Sequence, residues 1–458
     1  MRNLKSAYEH PDVVSDALKK EIAADRVMGP FPYPPFKTFQ VSPLGCVEKK
    51  VKNTFRLIFD LSSPRNGSIN DYIHDMFSSV SYSSLDDALK LVRDCGPGAF
   101  MAKTDIKSAF RLLPIRPDQY HLFCFSWEGE FFFDRSLQLG CRSACNLFES
   151  VSSAIEHLAI HRAIRWIIHY LDDFFLVRTS RDGAKADLVA FLALLDELGI
   201  PYALEKTIGP FQILPFTGIE IDTLKEVARL PEDKIKDCLF ALSCLRDRKK
   251  CQRRELESLI GRLSFACKVV VPGRAFLRRL YGATAGVRQP YHYVRLTKEM
   301  HKDLEIWSVF LKSFNGMTYY RNEMFLSPLN KHLFTDSSQS LGTGAIFGPH
   351  WFSIPWPSSW WSSQTIIFLE LVPIVLALEA WGESFRNACV TLHTDNLPLV
   401  DIINSQSSKE PLVMCLVRRL VLQALKCNIL IQAVHIMGKK NVQADILSRL
   451  LISQFKVL

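Results

Sequence analysis

The run Tyr170-Leu171-Asp172-Asp173 sets two carboxylates side by side between two apolar, β-prone segments, Trp166-Ile167-Ile168-His169 and Phe174-Phe175-Leu176-Val177. Such a pattern reads as a hairpin with the acids at its tip. Adjacent aspartates between apolar strands are costly unless something positive sits on them. A divalent cation, Mg²⁺ above all, suits one or two carboxylates that also face phosphates. For the motif by itself the plain alternative is a solvated Asp-Asp turn. A third acid, Asp105, lies upstream after the apolar run Gly98-Ala99-Phe100-Met101, with enough chain before Asp172 for a helix and further strands. Carboxylates on neighbouring strands can hold two metal ions about 3.5–4 Å apart, the arrangement used for in-line phosphoryl transfer.

Thr104-Asp105-Ile106-Lys107-Ser108-Ala109-Phe110 resembles the first palm motif of reverse transcriptases, and Tyr170-Leu171-Asp172-Asp173 resembles their metal-binding hairpin. The resemblance implies a metal-holding set of Asp105, Ile106, Asp172 and Asp173. Further motifs follow in chain order. Val47-Glu48-Lys49-Lys50, continuing through Phe55-Arg56-Leu57-Ile58-Phe59-Asp60-Leu61, resembles the fingers segment that holds an incoming triphosphate. Arg56 then supplies a planar fork and Lys49 a point charge. The segment 137–148, with Gly140 and Arg142 as its implied nucleotide contacts, resembles the template-grip motif, where glycine permits close backbone approach to template or nucleotide. It departs from retroviral enzymes in carrying Leu139 where they have glutamine, Gln138 one residue early, and Cys145 for a common proline. The motif opens a helix with apolar positions 147, 148, 151, 155 and 158. Leu204-Glu205-Lys206-Thr207 resembles the motif whose lysine protonates pyrophosphate, and Phe216-Thr217-Gly218-Ile219-Glu220-Ile221 resembles the primer-grip hairpin. Phe110, by the same resemblance, packs under the sugar and excludes a ribonucleotide 2′-OH. Without it, Phe110 is one of 31 phenylalanines and an ordinary core residue.

A second set of acids occupies the C-terminal quarter. Leu333-Phe334-Thr335-Asp336-Ser337-Ser338 leads into Leu341-Gly342-Thr343-Gly344-Ala345-Ile346-Phe347, a hairpin pattern with glycine at the bend. Glu370 opens an apolar helical run over 368–378, with Pro373 expected in its first turn. Thr391-Leu392-His393-Thr394-Asp395 ends a strand in a carboxylate, and the segment 435–449 supplies Asp445. Singly, each acid reads as a solvated residue or a helix cap. In this order, Asp336, Glu370, Asp395 and Asp445 resemble the metal-binding quartet of ribonuclease H, which implies two Mg²⁺ in each of two sites, with Mn²⁺ as a substitute. His435 aligns better with a structural histidine than with a catalytic one.

The segment HIMGKKNVQADILSR resembles the end of ribonuclease H in gypsy-type and DIRS-type retrotransposons. The stretches LPIRPDQYHLFCFSWEGEFFFDRSLQLGC and SRLLISQFKVL look more like DIRS-type elements. In those elements a tyrosine recombinase normally follows, so a recombinase encoded downstream, with a part in DNA integration, is an expected partner. The implied fold is α/β. It comprises a right-hand polymerase, with an antiparallel α+β palm, and a mixed-sheet ribonuclease H-like domain. Residues 1–225 read as fingers and palm, 226–285 as thumb, 286–328 as connection and 329–451 as ribonuclease H. The implied partners are an RNA template, a DNA primer, an RNA–DNA hybrid and deoxynucleoside triphosphates.

Composition is compatible with this. The 458 residues suffice for several domains with cores of their own, and a net charge of +9 favours a polyanionic partner. Positive charge clusters over 246–254 and continues through Arg262, Lys268, Arg274, Arg278 and Arg279, and a helix with apolar positions Leu256, Leu259, Ile260 and Leu263 carries part of it. That pattern suits a thumb gripping a duplex backbone, with a solvated helix face or a nuclear localisation signal as alternatives. Twelve scattered cysteines without a CxxC pair read as free thiols in a reducing compartment. The N-terminus lacks the apolar core of a signal peptide, and the greasiest helix, near 368–381, is short and carries Glu370 and Glu379. An intracellular protein of cytoplasm or nucleus, away from membranes, is expected. Three functions fit these residues: a bifunctional reverse transcriptase–ribonuclease H, a ribonuclease H on a weak or dead polymerase, and a non-catalytic nucleic-acid-binding remnant of a retroelement.

Overall fold

The computed structural model describes residues 2–49, 53–313, 318–319, 331–360, 363–386, 388–427 and 429–457. Lys50 of the fingers motif and the later part of the 286–328 segment lie outside them. The chain forms two compact units, one of Met1–Thr217 with Ile221–Lys225, the other of Gly218–Glu220 with Glu226–Leu458.

At the centre of the first unit is a four-stranded antiparallel sheet in the order Ile167–Tyr170, Asp173–Arg178, Phe100–Asp105, Ile208–Phe211. The apolar runs flanking the paired aspartates become the two hairpin strands, with Leu171 at φ 54° making the tight turn. The helices Ala144–His161 and Arg181–Glu197 are packed through Phe148, Ile155, Phe191 and Leu194 into one core with Phe174 and Leu176 of the sheet. The buried stripe of the first helix is Ala144, Phe148, Ser152, Ile155 and Ala159, whereas Leu147 and Leu158 face outward. The second helix begins at Arg181 because the Ser180 hydroxyl accepts from the Gly183 N–H, a cap that apolar periodicity does not reveal.

The strands Leu44–Glu48 and Phe55–Phe59 pair antiparallel, with Val47 opposite Arg56. Leu44 and Cys46 enter a second core with Val14, Phe125, Trp127 and Phe132. Arg111 is the polar tie beneath it. Its guanidinium lies 2.6 Å from Asp134 and 2.8 Å from Glu21, and Asp134 has no exposed surface.

The second unit contains a five-stranded mixed sheet in the order His350–Pro355, Gly342–Phe347, Lys331–Ser337, Cys389–Thr394, Leu430–His435. The first three strands are antiparallel and the last two run parallel to Lys331–Ser337. The helix Ile366–Trp381 packs against Lys331–Ser337 and Gly342–Phe347. It starts earlier than the apolar run suggests, capped by Thr365, so Pro373 sits in its interior and not in the first turn. A prolyl nitrogen there cannot donate to the carbonyl four residues back. The Ser337 hydroxyl takes that role, donating to the Leu369 carbonyl at 2.9 Å. Ahead of the sheet, the helix Arg253–Ala266 buries Leu256, Leu259, Ile260, Leu263 and Ala266 and leaves Arg262 exposed. Among the described residues no helix is long and apolar enough to cross a membrane, and all twelve cysteines are free thiols.

Candidate metal centres

The first set of acids is assembled by strand register. Asp105 and Asp173 are direct cross-strand partners, and Asp172 stands at the adjoining turn. The Ile106 N–H donates to the Asp172 carbonyl at 2.9 Å, which ties the two acidic segments together, while the Ile106 side chain is buried. Burial pushes Asp173 up to about 6, with Asp105 and Asp172 adding repulsion and Lys103 opposing it. Burial and then Asp105 raise Asp172 as well, and the charge of Arg56 acts on it in the other direction. Lys206 donates to Asp105 Oδ1 at 2.8 Å, and Lys103 lies 3.8 Å from Asp173. The hydrogen bond to Asp105, against some burial, raises the Lys206 ammonium above its ordinary value and keeps it charged. Lys103 is the partner that motif reading missed. Two residues before Asp105 on one strand, it shares a face with it, and period two could have found it.

The other residues of this region are placed as follows. Phe110 is half-buried against Phe148, with ring centroids 5.3 Å apart. Arg56 is exposed on its strand, and Lys49 closes the same pair through a backbone bond to the Thr54 carbonyl. The glycine requirement at position 140 comes from within the fold: a Cβ there would lie 2.5 Å from the Phe59 carbonyl oxygen. Arg142 is paired with Asp75 and donates to the Ile73 carbonyl. Gln138 is buried and donates to Asp134 at 2.6 Å.

The second set converges more tightly. Asp336, Glu370 and Asp395 each present an oxygen such that all three lie within 4.8 Å of one another, a group able to hold a metal ion. Among the described residues it is the one such group of three, and the palm acids do not meet that distance. Asp336 comes from the central strand, Glu370 from the helix packed on it, and Asp395 from the end of the neighbouring parallel strand. Glu370 Oε1 accepts from the Ser337 N–H at 3.3 Å, while Oε2 is buried and has no hydrogen-bond partner among the described residues. Burial, then Asp336 and Asp395, push this carboxyl up to about 9. A buried oxygen without a donor, facing two further acids, fits a cation.

Asp445 stays outside the trio. It pairs with Arg449 at 2.8 Å, one helical turn on, although its charge still raises Asp336. The helix Val442–Ser448 contributes Ser448 instead, whose hydroxyl donates to Asp336 Oδ2 at 2.5 Å. Glycine at 344, opposite Asp336, allows this approach, since a Cβ there would lie 2.3 Å from that of Leu447. Ser448 follows Asp445 by three and shares its helix face, a spacing that could have flagged it. Exposed His435 ends its strand opposite Thr394.

No family model matches the sequence. Over 243 residues, 52% of this chain, it is 23% identical to Protein P of Duck hepatitis B virus (strain China), covering 30% of that protein. Protein P of a second strain (United States/DHBV-16) matches at the same identity over 28% of its length. The chain therefore spans under a third of the curated relatives it matches. Among solved structures, a foamy viral protease-reverse transcriptase in complex with RNA/DNA hybrid superposes with a TM-score of 0.56 at 14% identity, covering 95% of this chain and 54% of that one. A second foamy viral structure, in complex with double-stranded DNA, gives 0.55 at 15% identity, covering 95% and 70%.

The fold is thus a mixed α/β architecture of the retroelement reverse transcriptase–ribonuclease H type, with fingers, palm and thumb and a ribonuclease H-like domain.

Proposed function

We propose that this chain is an RNA-directed DNA polymerase fused to a ribonuclease H that cleaves the RNA strand of the hybrid the polymerase makes. The observation that carries the proposal is the presence, in one chain of this fold, of two separate acidic centres: Asp105 and Asp173 in cross-strand register beside Asp172, and the trio Asp336, Glu370 and Asp395. We assign residues 1–225 to fingers and palm, 226–285 to thumb, 286–328 to connection and 329–451 to ribonuclease H. A DIRS-type retrotransposon origin, with a recombinase and DNA integration downstream, rests on the sequence stretches alone.

Asp105, Asp172, Asp173 and the Ile106 main chain would hold Mg²⁺ in the first centre, and Asp336, Glu370 and Asp395, with Asp445 at the margin, in the second. When bound, two Mg²⁺ or Mn²⁺ ions supply activation of the attacking oxygen and neutralisation of the leaving one. The protein's own part is placement and charge. Arg56 and Lys49 draw the triphosphate of a deoxynucleotide toward the acids, and Lys206, held charged by Asp105, is placed to give a proton to departing pyrophosphate. Phe110 closes the floor under the sugar, and Gly140 and Arg142 shape the wall beside it. In the second centre, Ser448 and the Ser337 N–H orient Asp336 and Glu370, and strand choice rests on the 2′-OH of RNA. The foamy viral structure with RNA/DNA hybrid supports a hybrid as ligand of this fold.

The test is one reaction with a labelled DNA primer on a differently labelled RNA template, Mg²⁺ and four deoxynucleotides. Primer extension with template shortening is expected. Shortening without extension would support the second reading, a ribonuclease H on an inactive palm, which the looser spacing of the palm acids favours. An unchanged gel would sink both.

A further inference from the structure

A two-stranded ribbon ahead of the mixed sheet carries a surface that neither acidic centre uses. Lys250–Gln252 pairs antiparallel with Tyr293–Arg295, placing Lys250 opposite Arg295, Cys251 opposite Val294 and Gln252 opposite Tyr293. Cys251 and Val294 point inward, at 0% and 4% exposure. Strand alternation then turns Lys250, Arg295, Gln252 and Tyr293 to the outer face. Like charges directly opposite each other destabilise an antiparallel pair. Lys250 and Arg295 nevertheless face each other, exposed and, among the described residues, in no ion pair, and Lys250 Nζ lies 4.6 Å from the centre of the Tyr293 ring.

The adjoining loop adds an aromatic ledge. Tyr291 is 61% and Tyr293 57% exposed, and with Arg288 they line an open depression of about 720 Å³. The loop is held in place from beneath. Arg253 donates to the Val287 and Arg288 carbonyls at 2.6 and 3.0 Å, and the Arg254 N–H donates to the Pro290 carbonyl at 2.9 Å. The nearby acids, Glu255 and Glu257, are already engaged by Arg248 and Arg253. The ledge therefore presents exposed cations and two largely exposed tyrosine rings, that of Tyr293 with Lys250 beside it, on a fixed frame.

We infer that this ribbon and loop bind single-stranded nucleic acid, with unpaired bases stacked on Tyr291 and Tyr293 and phosphates on Lys250, Arg288 and Arg295. A duplex would satisfy the cations but leave the rings unused, because its bases are stacked on one another. Aromatic platforms beside a cationic track are the means by which proteins hold unpaired strands without reading sequence.

The test uses the full chain and two RNA–DNA hybrids, one blunt and one with an RNA overhang of uridines, some replaced by photoactivatable 4-thiouridine. Fluorescence anisotropy should show the overhang tightening binding by about tenfold, in the range of one base–aromatic stack, and crosslinks should map to Tyr291 or Tyr293. The double variant Tyr291→Ala/Tyr293→Ala should lose that advantage while binding the blunt hybrid as before. The conservative Tyr291→Phe/Tyr293→Phe should keep it, which separates lost stacking from lost folding. An undiminished overhang effect in the alanine variant, or crosslinks confined to other regions, would overturn the inference. So would displacement of the overhang by polyglutamate with no effect of the tyrosine changes, which would mark an acidic-peptide surface. Wild-type extension and cleavage in the same preparation keep this outcome distinct from a failure of the proposed enzyme function.

Discussion

Lys206 and Asp105 meet at 2.8 Å, so a lysine from a short turn before one edge strand neutralises the acid at the end of the next strand. Asp172 and Asp173 also act on this ammonium and keep it charged. Lys206→Gln is expected to reduce primer extension by about 10²-fold, the usual loss when a general acid is removed, and to leave hybrid cleavage unchanged. Single-turnover extension over a pH series checks it. Equal loss of both activities would point to a folding defect and not to proton donation.

Glu370 gives the protein a pH-dependent stability when no divalent cation is bound. Its carboxyl holds a proton in the folded state up to about 9, against an ordinary value of 4.5. Between those values the folded state binds the extra proton, so stability falls as pH rises through that window. Thermal unfolding in chelator should show a Tm that declines from mildly acidic to alkaline pH. Glu370→Gln should flatten the decline, and Mg²⁺ should restore the wild-type Tm most strongly at high pH, because a metal binds the ionised acid. A wild-type Tm independent of pH over this range would contradict the burial of this acid.

Ser337 and Pro373 form a compensated pair. Ser337→Ala leaves the Leu369 carbonyl without its 2.9 Å donor, at an expected cost of about 1–3 kcal/mol. Adding Pro373→Ala supplies a helical N–H to that same carbonyl, so the double variant should regain part of the loss. A urea-unfolding cycle showing simple additivity would break this link.

Much of the architecture could be read from local pattern. The paired aspartates announced their hairpin because apolar runs flank them, and Leu256, Leu259, Ile260 and Leu263 announced the buried stripe of their helix. What could not be read depends on neighbours distant in sequence. The stripe of the 144–161 helix runs through Ala144, Ser152 and Ala159, small residues with little hydropathy signal, while Leu147 and Leu158 stay outside. Pro373 looked like a first-turn proline because the helix starts at the Thr365 cap, ahead of the apolar run, and the group that satisfies the freed carbonyl, Ser337, lies on a distant strand. Asp445 has the expected spacing, yet its carboxylate pairs with Arg449 on the same helix face and is not one of the trio.

Arg111 should be the most sensitive position of the first unit. Its removal leaves Asp134 fully buried with an uncompensated charge. Arg111→Ala is expected to cost about 3–5 kcal/mol, the range for breaking one side of a buried pair. Lys5→Ala, which removes one side of an exposed helical pair, should not measurably change the midpoint of chemical denaturation. Similar midpoints for the two variants would refute a structural role for Arg111.

The most direct test of two independent centres is the dual-label hybrid reaction run with one substitution in each. Asp172→Asn/Asp173→Asn should abolish primer extension and leave template shortening at the wild-type rate, and Asp336→Asn should do the reverse. Loss of both activities in either variant, with folding intact by thermal melting, would contradict the assignment of one reaction to each cluster.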